Sequence, residues 1–143
     1  MPLEDGTEPV ANEELIYRRI PESTGWYSPN GISPRAFDPH NTDKTGISLS
    51  RAKYKSVEEA ARGRPGKSYY VAIFRAGDLR NRGIFIEPRP RPDDPGHAEL
   101  PDLRADNRKD KETLERMQVL TTLSLEVRGP FPSPEPLDFN SRQ

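Results

Sequence analysis

The strongest constraint on the fold is a run of strand, helix and strand signals between residues 46 and 74. β-Branched and aromatic residues make 69–74 the most strand-like segment of the chain, and 46–50 has the pattern of a shorter strand. Between them, Ser56 and Glu59 have the spacing of a capping box, which favours a helix over residues 56–62. We therefore predict a strand–helix–strand unit on which the other elements pack.

Weaker patterns on either side predict the remaining elements. The strand predicted for residues 14–20 ends at Pro21, which cannot donate to a ladder. One face of a second predicted helix carries an apolar residue at every third position: Leu114, Met117, Leu120 and Leu123. Further short strands are expected at residues 84–86, 96–100 and 123–127. The predicted fold class is α+β, a single domain whose sheet has five or six short strands, with two principal helices and long Pro-rich loops.

The two ends of the chain differ in composition from its middle. Residues 1–13 are acidic and contain no Lys or Arg, and residues 131–143 are rich in proline. We predict an acidic flexible tail at 1–13, a single α+β domain at 14–130 and a Pro-rich C-terminal tail at 131–143. Both tails are expected to contribute little to folding. The expected buried core is Ile47, Leu49, Val71, Ile73, Leu120 and Leu123.

Composition and charge exclude several classes of function. The chain has no cysteine, so disulfides and thiolate chemistry are ruled out. It shows neither a signal-peptide pattern nor an apolar run that could span a bilayer, which predicts a cytoplasmic protein that does not contact membranes. A net charge of −1 argues against nucleic acid as a partner, although arginines are locally in excess between Arg75 and Arg91. No glycine-rich nucleotide-binding motif is present.

The histidines do not predict a metal site. His40 and His97 are the only two in the chain, and no helical spacing brings them together. Histidines in such loops are more often surface residues than ligands, and we predict no bound metal.

A set of Arg, Ser and Glu on successive predicted strands forms the main candidate site. The first strand carries Arg18 and Arg19, the next carries the sequence Ser48-Leu49-Ser50, and the acids Glu99 and Glu126 follow on later strands. This order resembles the arginine, serine-x-serine and glutamate arrangement of ADP-ribosyltransferase folds. The resemblance implies that an arginine meets the phosphates of NAD and that the serine strand shapes the nicotinamide pocket.

The same resemblance implies that a glutamate stabilises the ribosyl cation. Glu99 is the candidate catalytic residue, with Glu126 as a substitute, and His97 joins Arg18, Arg19, Ser48 and Ser50 as a candidate ligand-binding residue. The chain departs from the family's pattern at Leu49, where the serine motif usually has threonine.

A second similarity covers most of the core. The sequences of residues 17–20, 33–37, 46–48 and 96–98 are similar to a scattered pattern in small uncharacterised bacterial proteins. That resemblance implies a small bacterial domain and supplies no activity.

Two functions remain open from the sequence. One is a binding or accessory module that acts through a protein or small-ligand partner and needs no particular cofactor; the aromatic-bearing loop at 21–45 and the Pro-rich segments favour it. The other is an ADP-ribosyltransferase-like toxin or effector that uses NAD. Convergence of the Arg, Ser and Glu side chains would favour the second. The oligomeric state is not predicted.

Overall fold

A six-stranded antiparallel sheet organises the chain, and a two-stranded hairpin lies apart from it. The computed structural model describes residues 4–134. Its strands are β1 (Leu15–Pro21), β2 (Tyr27–Ser28), β3 (Gly31–Ile32), β4 (Ile47–Arg51), β5 (Ser68–Arg75), β6 (Glu87–Pro88), β7 (His97–Leu100) and β8 (Glu126–Pro132). Its α-helices are α1 (Val57–Ala60), α2 (Ala76–Arg80) and α3 (Lys111–Leu123). The main sheet has the order β6-β7-β4-β1-β5-β8, so the fold is α+β and a single domain, as predicted.

The predicted strand–helix–strand unit is present as β4, α1 and β5. At its helix, the Ser56 hydroxyl accepts a hydrogen bond from the Glu59 amide at 3.1 Å, and the Glu59 carboxylate accepts one from the Ser56 amide at 3.0 Å. The two strands are not neighbours, however, because β1 lies between them and pairs antiparallel with each. The N-terminal strand therefore holds the centre of the sheet.

Apolar residues cover both faces of β1 and β5. One face packs under α3 with Ile16, Phe74 and Leu120, and the other packs under α1 with Val71 and Ile73. Of the predicted core residues, Ile47, Leu49, Val71, Ile73 and Leu120 are at most 4% exposed. Leu123 packs against the core but is only partly buried.

Residues 4–13 lie against the body of the protein, where the sequence suggested a flexible tail. Val10 is 2% exposed and belongs to the main core cluster. Arg51 is fully buried and donates to the carbonyl oxygens of Gly6 and Glu8 at 3.2 and 2.9 Å. The segment is held because the guanidinium of Arg51 needs acceptors that the sheet does not supply.

The region after α2 differs from the prediction. Residues 84–86 form no strand, because the turn at Gly83 places the Ile84 amide 3.0 Å from the Leu79 carbonyl and buries the Ile84 side chain. Phe85 is left 67% exposed. The strand in this region is the two-residue β6 instead.

The last strand also differs from its predicted limits. β8 begins at Glu126 and continues through Pro130 to Pro132, instead of ending before Gly129. Its pairing with β5 is irregular between Tyr69 and Val71, and such an irregularity accommodates a proline that has no amide hydrogen. Phe131 packs against the smaller core cluster. Residues 135–143 of the predicted Pro-rich tail lie outside the described residues.

None of the helices within residues 4–134 has the length and apolar character that crossing a membrane requires.

Candidate functional site

The candidate site lies where the main sheet opens between β1 and β4. The ladder between these strands has only two residue pairs, Ile16 with Arg51 and Tyr17 with Ser50, whereas β1 pairs with β5 along its whole length. Beyond Tyr17 the facing edges of β1 and β4 are unpaired. A cavity of about 1120 Å³ borders this opening and is lined from both faces of the sheet.

Arg18 spans the opening with its side chain. The backbone of Ser48 faces β1, because the amides of the alternate residues Ile47 and Arg51 donate toward the opposite side of β4. The carbonyl of Ser48 thus lacks a strand partner, and Arg18 Nη1 donates to it at 2.9 Å. Arg18 Nε donates to the Ala36 carbonyl at 3.0 Å. The guanidinium thus forms a hydrogen bond between β1 and β4 where their backbone ladder is absent.

Among the described residues, no counter-ion is in direct contact with the charge of Arg18. Among residues 4–134, no carboxylate oxygen lies within 4.0 Å of its guanidinium. Burial lowers the pKa of Arg18 to about 10, and the more distant Asp43 offsets only part of that change. The side chain is still cationic at neutral pH, so a half-buried positive charge with unused donors faces the cavity.

All the side-chain nitrogens of Arg51 donate hydrogen bonds within the protein. Its Nε and Nη2 donate to the two carboxylate oxygens of Glu14, both at 2.9 Å, and its other donors reach backbone carbonyls. Although burial opposes the charge, the hydrogen bonds and the charge of Glu14 raise its pKa overall. Arg51 has therefore no donor left for a ligand, in contrast to Arg18.

Four of the predicted polar residues lie on one and the same face of the sheet. The register of β4 and β7 sets Ser48 opposite Glu99 and Ser50 opposite His97. Alternate residues of a strand point to the same side, so the four side chains form one polar patch. His97 Nε2 lies 3.0 Å from Glu99 Oε2, and both residues are buried.

Glu99 is held by further donors and sits behind the cavity wall. Its Oε1 accepts from the Thr45 hydroxyl at 2.6 Å and pairs with Arg89 Nε at 3.2 Å. His97 lines the cavity, whereas Glu99 is not among the lining residues. The carboxylate thus contacts a cavity-lining residue, His97, without lining the cavity itself.

The structure brings the predicted ligand-binding residues together. Arg18, Arg19, Ser48, Ser50 and His97 all line the cavity. Neighbours on a strand face opposite sides, so a site on one face of β1 would take only one of the two arginines. The cavity takes in both because it borders the open edge of β1. Arg19 is already engaged, since it donates to the Arg62 carbonyl and lies 5.0 Å above the Tyr69 ring.

Glu126 lies away from this group. It pairs with Ile73 from the edge strand β8, is exposed to solvent and does not line the cavity. Of the two candidate acids, only Glu99 is near the other site residues.

Several lining residues had no individual signal in the sequence. The aromatic loop at 21–45 was noted, and its Trp26 lines the cavity. The cationic lining residues are Arg18, Arg19, Lys55, Arg62, Arg64, Lys67 and Arg91, and the acidic ones are Glu22, Asp43 and Asp94. The lining therefore has more positive than negative side chains, which favours an anionic ligand. Within residues 4–134, no group of three or more acidic or histidine side chains is arranged to hold a metal ion.

No family model, curated protein or solved structure matches this chain. What the protein does is consequently inferred from the geometry of the cavity.

Proposed function

We propose that the protein is a small-ligand-binding module whose cavity takes an anionic ligand with a phosphate or pyrophosphate group. The observation that carries the proposal is the half-buried guanidinium of Arg18, which lines the cavity and has no carboxylate within 4.0 Å among the described residues. A cation that is partly removed from water and has no counter-ion is stabilised when a partner compensates its charge. A ligand anion would supply that compensation.

The donor geometry favours phosphate over other anions. Arg18 uses Nε and one Nη1 hydrogen for the carbonyls of Ala36 and Ser48, which leaves its remaining Nη hydrogens for the ligand. A guanidinium binds two oxygens of one phosphate at once, and such charge-assisted pairs are stronger than neutral hydrogen bonds. The hydroxyls of Ser48 and Ser50 add neutral donors elsewhere on the lining of the same cavity.

The other features of the lining suit a ligand with an aromatic group. Trp26 is partly buried, and aromatic rings of this kind stack on planar ligands. A cavity of about 1120 Å³ has room for a molecule of nucleotide size.

ADP-ribosyl transfer from NAD is the second candidate function. The observation that favours it is the shared location of Arg18, Ser48 and Ser50 on one cavity, with Glu99 opposite Ser48 in the register. In such a transfer, the bond between nicotinamide and ribose breaks and nicotinamide leaves with the electron pair. A carboxylate stabilises the resulting cation until an acceptor attacks it, and Glu99 would have to do so from behind His97, since it does not itself line the cavity.

The protein partner expected from the sequence stays a prediction. Three large apolar side chains are available for such contacts, since Phe85, Leu114 and Leu125 are each about half or more exposed. A cytoplasmic location is likewise part of the proposal.

A fluorescence titration tests the binding proposal directly. Trp26 is the only tryptophan of the chain and lines the cavity, so its emission should change when pyrophosphate, ADP-ribose or NAD is added. Arg18→Ala should weaken binding about tenfold or more, because a hydrogen-bonded charge pair is lost. Arg128→Ala is the matched control, since Arg128 is exposed on β8 and outside the cavity.

Two outcomes separate the candidate functions. Release of nicotinamide from NAD, lost in Glu99→Gln while pyrophosphate still binds, would support the transfer. Binding of NAD without release of nicotinamide would support the binding module instead. An unchanged affinity in a folded Arg18→Ala variant would contradict the assignment of Arg18 as the anion site.

A further inference from the structure

We propose that Ser50, His97 and Glu99 form a proton-transfer relay in which the Ser50 hydroxyl is a nucleophile toward carboxylic esters. This inference does not rest on the proposed phosphate binding, because it concerns a different wall of the cavity and a different reaction. Its basis is the pairing of β4 with β7.

The register brings the nucleophile and the base close to each other. Ser50 and His97 are Cα partners on adjacent antiparallel strands. The amide of Arg51, the next residue, donates to the Gly96 carbonyl at 2.9 Å, so Ser50 and His97 are a pair without a hydrogen bond between their backbones. In this kind of pair the strands approach most closely, with Cα atoms about 4.5 Å apart and side chains on the same face.

Glu99 determines which ring nitrogen of His97 is available. An ionised carboxylate only accepts hydrogen bonds, so the 3.0 Å contact between His97 Nε2 and Glu99 Oε2 requires the proton on Nε2. Nδ1 is then the unprotonated nitrogen, ready to accept a proton. Within residues 4–134, Nδ1 has no hydrogen-bond partner and is not among the fully buried atoms that lack one, and His97 lines the cavity.

Glu99 is a positioning residue in this relay. The Thr45 hydroxyl and Arg89 Nε hold its Oε1, while its Oε2 faces the imidazole. A fixed, ionised carboxylate stabilises the imidazolium that forms when His97 takes a proton. The order of groups is that of a hydroxyl nucleophile, a base and an acid that orients the base.

The reaction balances with an ester and water alone. Ser50 Oγ attacks the ester carbonyl while His97 Nδ1 takes the hydroxyl proton. The bond to the alkoxy oxygen breaks, and the leaving oxygen keeps the electron pair and receives the proton from His97. Water then attacks the acyl-serine with His97 as base, which releases a carboxylic acid and restores Ser50. Because the cavity lining is mainly cationic, the ester group is expected on a molecule that carries a negative charge.

Labelling with a fluorophosphonate tests the nucleophile. Ser50 Oγ would form a bond to phosphorus, fluoride would leave, and His97 would accept the proton. We expect one adduct per chain, mapped to Ser50 by mass spectrometry, and none in Ser50→Ala. Ser28→Ala is the matched control, because Ser28 lies on the separate hairpin and outside the cavity. His97→Asn should slow labelling about tenfold or more. No adduct, or an adduct on another residue, overturns the proposal.

The tautomer of His97 tests the role of Glu99 without an activity measurement. Nitrogen-15 NMR of the unsubstituted protein, at a pH where the imidazole is neutral, should show a proton on Nε2 and none on Nδ1. Glu99→Gln should populate the other tautomer, since an amide can donate as well as accept. A proton on Nδ1 in the unsubstituted protein would rule out His97 as the base for Ser50.

The rates of cleavage of two esters, one charged and one neutral, test the expected substrate class. Cleavage of 4-nitrophenyl hemisuccinate, which carries a carboxylate, should be faster than cleavage of 4-nitrophenyl acetate. Equal rates would overturn the preference for an anionic ester.

Discussion

Arg18 Nη1 lies 2.9 Å from the carbonyl oxygen of Ser48, where the ladder between their two strands has already ended. One side chain thus replaces a backbone pairing and also lines the cavity at that opening. The short ladder between β1 and β4 therefore both opens the sheet and places the charge of Arg18 at the cavity.

Replacement of Arg18 by Lys should separate its charge from its geometry. Lysine keeps the cation but not the planar fork, so it would lose at least one of the contacts to Ala36 and Ser48 and bind phosphate as a point charge. We expect Arg18→Lys to restore little of the affinity lost in Arg18→Ala. Isothermal titration with pyrophosphate measures this; full affinity in the lysine variant would mean that charge alone is sufficient.

Replacement of Arg51 by Met should destabilise the fold strongly. The change leaves the Glu14 carboxylate and the carbonyls of Gly6 and Glu8 without their donor inside the protein. Breaking a buried pair on one side costs about 3–5 kcal/mol of unfolding free energy. Urea denaturation measures the loss, with Arg128→Ala as the exposed control, for which we expect a change of about 0.5 kcal/mol or less.

Ile73→Ala should cost about 2–5 kcal/mol, because Ile73 is 4% exposed and lies on a strand that has neighbours on both sides. Leu114 is a suitable comparison, since it is 48% exposed on α3 and Leu114→Ala removes much less buried surface. Chemical denaturation of both variants tests the packing on β5. Equal losses at the two positions would contradict it.

Removal of residues 1–12 should lower the melting temperature, contrary to the expectation that this segment contributes little. The shortened chain loses Val10 from the core and the backbone acceptors of Arg51 at Gly6, Glu8 and Pro9. Scanning calorimetry of a chain that begins at Glu13 measures the shift. A melting temperature equal to that of the full chain would show that the docked segment adds no stability.

Acid should weaken the attachment of the N-terminal segment through Glu8. The hydrogen bond from Tyr54 is the largest cause that lowers the pKa of Glu8, with Lys53 as a further cause, and the value falls to about 2 from an ordinary 4.5. Because the folded-state pKa is depressed, the contribution of Glu8 is complete above about pH 4.5 and is lost as the pH falls toward 2. Glu8→Gln should flatten the dependence of stability on pH in this window; an unchanged profile would assign the acid sensitivity to other groups.

Local sequence patterns were sufficient where one segment determines its own structure. The capping box at Ser56, the apolar spacing from Leu114 to Leu123 and the β-branched run that became β5 all depend on neighbours in the chain. Ile84 and Pro130 were misjudged because a turn and a strand-pairing irregularity set their environment.

Residue types along the chain singled out Arg18, Ser48, Ser50, His97 and Glu99, since charged and hydroxyl groups on strand-forming segments are visible without a structure. Pairing between strands that are distant in sequence determined how these side chains are placed relative to one another. Only the register of β4 and β7 sets Ser50 opposite His97, and only the short ladder of β1 and β4 leaves a gap for Arg18. Such pairing depends on contacts between segments tens of residues apart, and no local pattern encodes them.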